Sequence, residues 1–158
     1  MKMIVISDTH HDIDAIRRIL PIINECDTLV HLGDCNDDIL KIQHELTVKD
    51  IVYVRGNCDY VMKSSEFVVK EWGGAKFFFT HGHRYRVDSS LLDLTYIALE
   101  NECNYAFYGH THIADMDRSF GVELINPGSV ARPRAGYPSY AIVEKKDGKI
   151  FTNIVLIG

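Results

Sequence analysis

The chain has 158 residues, of which 46% are hydrophobic, and its formal net charge at pH 7 is -5. This length and apolar content suit one domain with a buried core, and we expect residues 1–158 to form it. An acidic chain has no basic field for a nucleic-acid duplex, and no segment approaches the length of a membrane span. A small anionic substrate would therefore need positive charge placed locally.

The N-terminus and the cysteines indicate the compartment. The opening sequence MKMIVISDTHHD has an apolar run that Ser7 and Asp8 interrupt, which makes it too short for the core of a signal peptide. The four cysteines contain no C-x-x-C pair, so a disulfide framework is not expected. A reducing cytoplasm is the expected location.

The first third of the chain alternates short apolar runs with helical patterns. After a strand predicted at Met3 to Ile6, DIDAIRRIL has apolar residues on one helical face behind Asp12 as N-cap, and Pro21 should end or kink this helix. The run TLVHLGD precedes a short helix near Asp37 to His44, and IVYVRGNCDY, starting at Ile51, gives a third strand. This β-α-β-α-β order predicts parallel strands with helices packed on them.

The rest of the chain contains more strand patterns than helical ones. Gly73 and Gly74 separate two strands as in a hairpin, and Asp88 to Cys103 has helical periodicity. The later runs VELIN, SYAIVEKK and KIFTNIVLI are strand-like, with Asp147 and Gly148 as a tight turn. Too few helices remain to cover one large sheet, so we predict two packed sheets of mixed strand direction with helices outside.

Five apolar runs end in a cluster of potential metal ligands: IVISDTH, LVHLGD, IVYVRGN, KFFFTHGH and YAFYGHTH. A single Asp after a strand is often an N-cap, but capping does not explain five clusters in the same position. Ligands of open α/β sheets bind outside the carboxyl ends of the strands, so the clusters should converge. Glycines at 33, 56, 82 and 109 allow tight turns and close backbone approach there. The predicted site residues are Asp8, His10, Asp34, Asn57, His81, His110 and His112.

The number and type of these ligands predict a dinuclear metal site. Oxygen and imidazole ligands in this number exceed the roughly four that one tetrahedral zinc ion takes, and they suit two divalent ions sharing a carboxylate. Manganese is our first candidate, and nickel, cobalt, iron, zinc or magnesium are also compatible with these ligands. Two such ions would attract a phosphoryl group and acidify a bridging water, so we expect phosphoester hydrolysis by a metal-bridging hydroxide.

The motifs DTH, GD, GNCD, HGH and GHTH, in this order and spacing, resemble those of the calcineurin-like metallophosphoesterase family. The compact length, the GNCD variant and the NPGS sequence at Asn126 to Ser129 resemble its small microbial phosphodiesterase branch. The resemblance covers essentially the whole chain. It implies a single-domain four-layer α/β/β/α sandwich with two mixed β-sheets, and a small phosphoester as substrate, with a diester favoured over a monoester.

The resemblance also implies how the ligands divide. The family pattern has two groups of ligands around one bridging carboxylate, here Asp34. The groups are Asp8, His10 and His112 for one ion, and Asn57, His81 and His110 for the other. An Asn carbonyl oxygen coordinates a metal without adding charge, and its amide hydrogens stay available for a substrate oxygen.

Cys58 departs from the family pattern, because many members read Gly-Asn-His-Asp. In those members the His is proposed to protonate the leaving group or stabilise the phosphoryl oxygens, and a thiol is a poorer proton donor near neutral pH. A nucleophilic role needs a low-pKa thiolate, which the neighbouring Asp59 disfavours. We expect Cys58 to be a packed thiol beside the site, and turnover to be slow or to favour good leaving groups.

Residues that flank the predicted ligands have more than one interpretation. His11 and His83 could contact substrate or lie on the surface. Arg132 and Arg134 could bind a substrate phosphate or a partner chain, or be solvated. Three tyrosines could form a wall for a ring-containing substrate, although tyrosines near strands are mostly core residues. These are Tyr85, Tyr137 and Tyr140.

A different class of function is a non-catalytic protein-interaction scaffold on the same fold, as in the retromer subunit of this family. Degraded ligands would favour the scaffold, whereas the complete set in this sequence favours catalysis. A homodimer is compatible with the small size of the chain.

Overall fold

The computed structural model describes all 158 residues as two five-stranded β-sheets packed face to face. The first sheet has the strand order β10-β9-β1-β2-β3 and the second has the order β4-β5-β6-β8-β7. The strands are β1 (Lys2–Ile6), β2 (Thr28–His31), β3 (Asp50–Tyr53), β4 (Phe67–Trp72), β5 (Ala75–Thr80), β6 (Tyr105–Phe107), β7 (Asp115–Asp117), β8 (Glu123–Asn126), β9 (Ser139–Lys146) and β10 (Lys149–Leu156).

Both sheets are mixed. In the first sheet β1, β2 and β3 are parallel, while β9 and β10 are antiparallel neighbours. In the second sheet β5, β6 and β8 are parallel, and the two edge strands β4 and β7 are antiparallel. The helices are α1 (Ile13–Asn24), α2 (Asp38–Lys41) and α3 (Leu92–Glu100), with 3-10 turns at Gln43–Glu45 and His83–Tyr85. No helix combines the length and the apolar character that crossing a membrane requires.

Alternation along β1 explains the layers on the first sheet. Met3 and Val5 pack into the core between the sheets. Ile4 and Ile6 point to the other face, where they pack against Ile16 and other residues of α1. Successive side chains of a strand face opposite sides, so an apolar run such as residues 3–6 must be covered on both.

The aromatic run of β5 is likewise covered on both faces of the second sheet. Phe77 and Phe79 lie in the core between the sheets, and Phe77 stacks on Tyr105 with ring centroids 4.7 Å apart. Phe78 points outward and packs with Leu94 and other residues of α3. The predicted α/β/β/α sandwich is therefore confirmed, with α1 and α2 on one side and α3 on the other.

Local differences from the predicted elements have physical causes. Asp12 caps α1 as predicted, accepting the Ala15 N–H at 2.9 Å, but Pro21 does not end the helix, which continues to Asn24. Pro21 is exposed, so water can satisfy the carbonyl that loses its partner, and the buried residues on either side hold the helix on the sheet. Buried Ile23 of the same helix is one of these residues.

The third helix and one strand also differ from prediction. The helix predicted over 88–103 is shorter, because Ser90 Oγ accepts the Leu92 N–H at its start and Glu102 has a left-handed φ of 58° beyond its end. Asp115–Asp117, missed from the sequence, forms the short polar edge strand β7. The Gly73-Gly74 and Asp147-Gly148 turns occur as predicted between β4 and β5 and between β9 and β10.

Candidate metal centre

The seven predicted site residues lie in five loops that follow parallel strands of the two sheets. The loops after β1, β2 and β3 carry Asp8 and His10, then Asp34, then Asn57. The loops after β5 and β6 carry His81, then His110 and His112. Because the two sheets pack together, these carboxyl ends meet, and the structure brings all seven side chains into one cluster.

The first group of this cluster consists of Asp8, His10 and His112. His112 Nε2 lies 3.2 Å from Asp8 Oδ1 and 3.1 Å from His10 Nε2. His10 Nε2 lies 3.9 Å from the same oxygen of Asp8. With an oxygen of Asp34, these atoms all lie within 4.8 Å of one another, as the ligands of a single ion do.

The second group consists of Asn57, His81 and His110, and it is arranged around an amide oxygen. Asn57 Oδ1 lies 3.0 Å from His81 Nε2 and 3.1 Å from His110 Nδ1. The neutral amide oxygen of Asn57 thus faces two imidazole nitrogens. Such a set of donor atoms suits a divalent cation of borderline softness.

Asp34 lies between the two groups. Its Oδ2 is 3.6 Å from His10 Nε2 and 3.4 Å from His81 Nε2. Its other oxygen accepts the backbone N–H of Cys58 at 2.9 Å, which fixes the rotation of the carboxylate. The position is the one a carboxylate shared by two ions would occupy.

The tautomers of two histidines provide a test of whether the cluster fits metal ions. The Nδ1 atoms of His81 and His112 lie 2.8 Å from the carbonyl oxygens of Leu32 and Arg132, so each Nδ1–H donates to a backbone carbonyl. In the neutral imidazoles the Nε2 lone pairs then point at oxygen atoms of the site. Asp8 Oδ1 is buried and lacks hydrogen-bond geometry with any donor. Lone pairs facing lone pairs require a cation, so the residues fit divalent metal ions.

Charge in the cluster is balanced between carboxylates and imidazoles. Burial works against the charge of Asp8, but the nearby His112 and His81 imidazoles hold its pKa below the usual value. Burial likewise opposes ionisation of Asp34, and His81 holds its pKa well below normal. Pairing with Asp8 raises the pKa of His112. Protons on imidazoles therefore compete with metal ions for the same negative site, which couples metal binding to proton release.

The backbone of the cluster is in an unusual conformation. Five of the seven residues have left-handed φ angles of 44° to 68°, a region that side chains other than Gly, Asn and Asp seldom adopt. They are Asp8, His10, Asp34, His110 and His112. Strain of this kind persists where the surrounding structure enforces it, and it concentrates at functional sites.

Gly56 and Gly109 are needed because the loops approach closely. A Cβ atom on Gly109 would collide with Ser7 Oγ and lie 2.9 Å from Asp8 Oδ2. A Cβ atom on Gly56 would collide with the backbone nitrogen and Oδ1 of Asp34. The predicted close approach at these glycines is therefore present.

Supporting residues that the sequence did not single out hold the ligand loops. Asp59 accepts backbone N–H groups from Asp34, Asn36 and Gly56 at 2.6 to 2.8 Å. Ser129 Oγ donates to the Asp8 carbonyl at 2.8 Å. Asp59 is part of the GNCD motif and Ser129 part of NPGS, so a recognisable signal existed for both.

The flanking residues separate into those beside the cluster and those away from it. The His83 ring centroid is 5.3 Å from that of His81, whereas His11 pairs with Asp38 at 3.2 Å. Arg132 approaches the carbonyl of His10, with Nη2 3.5 Å from the oxygen. Tyr140 is buried in the core against α1, so the three tyrosines form no common wall.

Cys58 lies beside the cluster with its side chain half-buried. Burial raises the pKa of its thiol, and the charge of Asp34 acts in the same direction. Its Sγ is 3.5 Å from Asn57 Nδ2. A protonated thiol in this position is a packed neighbour of the ligands.

Comparison with known proteins places this architecture in a class. A family model for the calcineurin-like phosphoesterase superfamily domain matches residues 1–148. The probable metallophosphoesterase YsnB of Bacillus subtilis is 32% identical over 145 residues, covering 90% of this chain and 83% of its own. A phosphodiesterase of Methanocaldococcus jannaschii is 28% identical over 173 residues, covering 99% of both chains.

Solved structures agree on the fold. Wild-type Vps29 of Entamoeba histolytica, complexed with Zn²⁺, has a TM-score of 0.77 and 21% identity over 99% of both chains. The family model and the relative of Bacillus subtilis show that the α/β/β/α sandwich, with candidate metal ligands at its strand ends, is that of a metallophosphoesterase. The chain belongs to the calcineurin-like phosphoesterase superfamily.

Proposed function

We propose that the chain, residues 1–158, is a phosphodiesterase that uses two divalent metal ions to hydrolyse a small phosphoester. The orientation of His81 and His112 carries the proposal. Backbone carbonyls of Leu32 and Arg132 hold both Nε2 lone pairs toward the oxygens of the cluster. Enzymes of this family are phosphoester hydrolases, and names of its relatives include phosphodiesterase.

The residues divide the work as follows. Asp8, His10 and His112 would hold one ion, and Asn57, His81 and His110 the other, with Asp34 shared between them. When bound, the ions supply positive charge for the phosphoryl oxygens and activate water for attack on phosphorus. Asn57 directs Oδ1 at the two histidines, and its Nδ2 has only the 3.5 Å contact with Cys58, so it can donate to a substrate oxygen.

The finer parts of the proposal concern the metal, the substrate and the location. Manganese suits the oxygen and imidazole ligands, and nickel, cobalt, iron, zinc or magnesium are the alternatives to compare. A diester is favoured over a monoester, because the names of relatives include phosphodiesterase. Four free cysteines, three of them buried, suit a reducing cytoplasm.

The test is hydrolysis by metal-depleted protein reconstituted with each metal. We expect manganese to support hydrolysis of bis(p-nitrophenyl) phosphate faster than of p-nitrophenyl phosphate, with two ions bound per chain. Asp34→Asn and Asn57→Ala should lose bound metal, and their rates should fall about 100-fold or more. This loss equals or exceeds the largest effect expected from removing a residue that only supports a ligand. Asp147→Asn, in the β9–β10 turn at the opposite end of the first sheet, is the matched control.

Two results would contradict the proposal. One is retention of both metal stoichiometry and rate in Asp34→Asn and Asn57→Ala. The other is absence of hydrolysis of aryl diesters, aryl monoesters and cyclic nucleotides with every metal, which would favour a protein-interaction scaffold on this fold.

A further inference from the structure

A second cluster of metal-ligating side chains lies beside the candidate metal centre and shares no residue with it. His11 is in the loop after β1, Cys35 is in the loop after β2, and Asp38 begins α2. One imidazole nitrogen, the thiol sulfur and one carboxylate oxygen all lie within 4.8 Å of one another. Such distances suit the ligands of one ion, because each ligand atom lies about 2.0–2.3 Å from a bound zinc ion. We call these three residues the thiol cluster.

The side chains of the thiol cluster contact one another directly. Cys35 Sγ lies 3.4 Å from His11 Nε2, and Asp38 Oδ1 lies 3.2 Å from His11 Nδ1. Cys35 and Asp38 are buried, whereas the His11 side chain is 66% exposed. The protein therefore encloses the sulfur and the carboxylate, and the imidazole side stays open for an ion to enter from water.

Hydrogen bonds orient the buried carboxylate and leave one of its oxygens facing the cluster. Asp38 Oδ2 accepts the Thr9 hydroxyl at 2.7 Å and the backbone N–H of His11 at 2.9 Å. The hydrogen-bond partners of Oδ1 are the His11 ring and the ammonium group of Lys41. Carboxylates that bind metals are commonly supported by such additional hydrogen bonds, which fix the rotation of the group.

Lys41 shows that the cluster already attracts a cation. Its Nζ lies 2.7 Å from Asp38 Oδ1 and 3.2 Å from His11 Nδ1. An ammonium group has only donors, so Nδ1 is the acceptor in the second contact. Nζ is also 3.2 Å from Asp37 Oδ2, so the lysine keeps a carboxylate partner when an ion takes Asp38. Lys41 is therefore a competitor that an ion can displace.

We propose that the thiol cluster binds one divalent ion of borderline softness, with zinc as the best fit, as a site separate from the candidate metal centre. Thiolate, imidazole and carboxylate are the ligands that zinc takes, and three of them leave a fourth position for water. The thiol proton passes to solvent as the sulfur–metal bond forms. The candidate metal centre offers no sulfur, and manganese prefers oxygen ligands, so the two sites should differ in metal preference. The inference does not depend on the proposed function.

The test uses cobalt, which takes the place of zinc and reports a thiolate ligand directly. A bond between sulfur and Co²⁺ gives an ultraviolet charge-transfer band that oxygen and nitrogen ligands do not give. We expect this band when metal-free protein is titrated with Co²⁺. Equilibrium dialysis should show one more zinc ion than manganese ion bound per chain.

Two variants remove ligands, and each has a matched control. Cys35→Ser should lose the band and lower the zinc affinity of this site about 100-fold or more, at least the largest effect of losing a residue that supports a ligand. His11→Asn should have the same effect, and it preserves folding because asparagine tolerates the left-handed φ of 66° and the ring is exposed. Cys58→Ser and His44→Asn, the latter at an exposed histidine, should keep the band.

Lys41→Met tests the competing cation. The substitution keeps all three ligands and removes the ammonium group from Asp38, so zinc affinity of the thiol cluster should rise severalfold. An unchanged affinity would count against a position shared by the ammonium group and the ion. Manganese content should match the wild type in every variant. Loss of manganese together with zinc in Cys35→Ser and His11→Asn would overturn the inference, because the two sets of ligands would then form one site.

The spectra give the remaining outcomes. Absence of the sulfur–cobalt band in the wild type, or its persistence in both Cys35→Ser and His11→Asn, would overturn the inference. Loss of the band in Cys58→Ser alone would also overturn it, because the thiolate would then belong to the candidate metal centre. The readouts are spectra and metal content, so a failure to hydrolyse phosphoesters bears only on the proposed function.

Discussion

The Asp59 carboxylate holds the backbone of Asp34, accepting its N–H at 2.8 Å. The same oxygen accepts the Gly56 N–H at 2.6 Å, and the other oxygen accepts the Asn36 N–H at 2.8 Å. One buried side chain thus joins the loop of Asp34 to the loop of Asn57. A carboxylate is required, because all three partners are donors.

We predict that Asp59→Asn weakens the metal centre without altering any ligand. Its amide nitrogen would face an N–H donor, so at least one bond is lost, at a cost of about 1–3 kcal/mol in the free energy of unfolding. Metal affinity should fall about 10–100-fold, the usual effect of removing support from ligands. Urea denaturation of metal-free protein and calorimetric manganese titration measure the two effects. Asp147→Asn is the control, and unchanged metal affinity in Asp59→Asn would contradict the role given to Asp59.

Gly109→Ala tests the close approach of two loops. The added methyl group would collide with Ser7 Oγ and crowd Asp8 Oδ2, so one loop must shift and carry a ligand with it. We expect destabilisation of about 1–3 kcal/mol, as for overpacking, together with loss of metal binding. Gly158→Ala, where an added Cβ meets nothing within 4 Å, is the control. Wild-type manganese affinity in Gly109→Ala would show that metal binding does not require the close approach of these loops.

The Cys58 thiol is expected to have little effect on the rate of hydrolysis. Because the thiol neither belongs to the ligand groups nor has a low pKa, Cys58→Ser should keep more than about a third of the wild-type rate. This corresponds to an increase of less than about 1 kcal/mol in the activation free energy, as expected when a packed thiol is not catalytic. Near-total loss of hydrolysis in metal-loaded Cys58→Ser would reject this interpretation.

The reverse substitution, Cys58→His, restores the residue that many relatives have. An imidazole can protonate a leaving group near neutral pH, so it should raise the rate for poor leaving groups by about 10-fold or more, the lower range of acid catalysis. The effect on p-nitrophenyl esters should be smaller, because nitrophenolate leaves without protonation. Rates for alkyl and nitrophenyl diesters with equal metal content measure the difference, and equal effects on both would argue against a missing acid.

The sequence predicted the layers because the strand patterns are strong. The apolar runs of β1 and β5 are buried on both faces of their sheets. A fold of only two layers would leave one face of a sheet in solvent, so further layers are needed to cover them. The predicted helix end at Pro21 does not occur, because local propensity omits the packing of α1 on the sheet. β7 was missed since a three-residue polar edge strand, Asp115–Asp117, has almost no periodicity to detect.

The convergence of the seven predicted site residues was predictable for a different reason. The carboxyl ends of neighbouring parallel strands meet whatever the loop details, so residue type and position at the strand end were sufficient. The support from Asp59 and the left-handed φ angles of site residues such as His10 depend on loop conformation, which residue type alone does not specify.

His31 shows how a buried histidine near the ligand loops ties stability to pH. Burial lowers its pKa from 6.5 to about 4. The Gly33 N–H donates to its Nδ1 at 3.1 Å, so the neutral ring carries its proton on Nε2, which lies 3.1 Å from Thr9 Oγ1. Thr9 in turn donates to Asp38 Oδ2 at 2.7 Å. Protonation at Nδ1 would set two donors against each other and charge a fully buried ring.

The folded protein should therefore lose stability in mild acid. Because the pKa of His31 is lower in the folded than in the unfolded state, its contribution is complete above pH 6.5 and is lost as the pH falls toward 4. The loss should reach about 3 kcal/mol, since one pKa unit corresponds to about 1.4 kcal/mol. Urea denaturation of metal-free protein across this range should show a smaller pH dependence for His31→Gln than for the wild type. His44→Gln, at an exposed histidine, should follow the wild type, and parallel profiles for all three proteins would contradict the prediction.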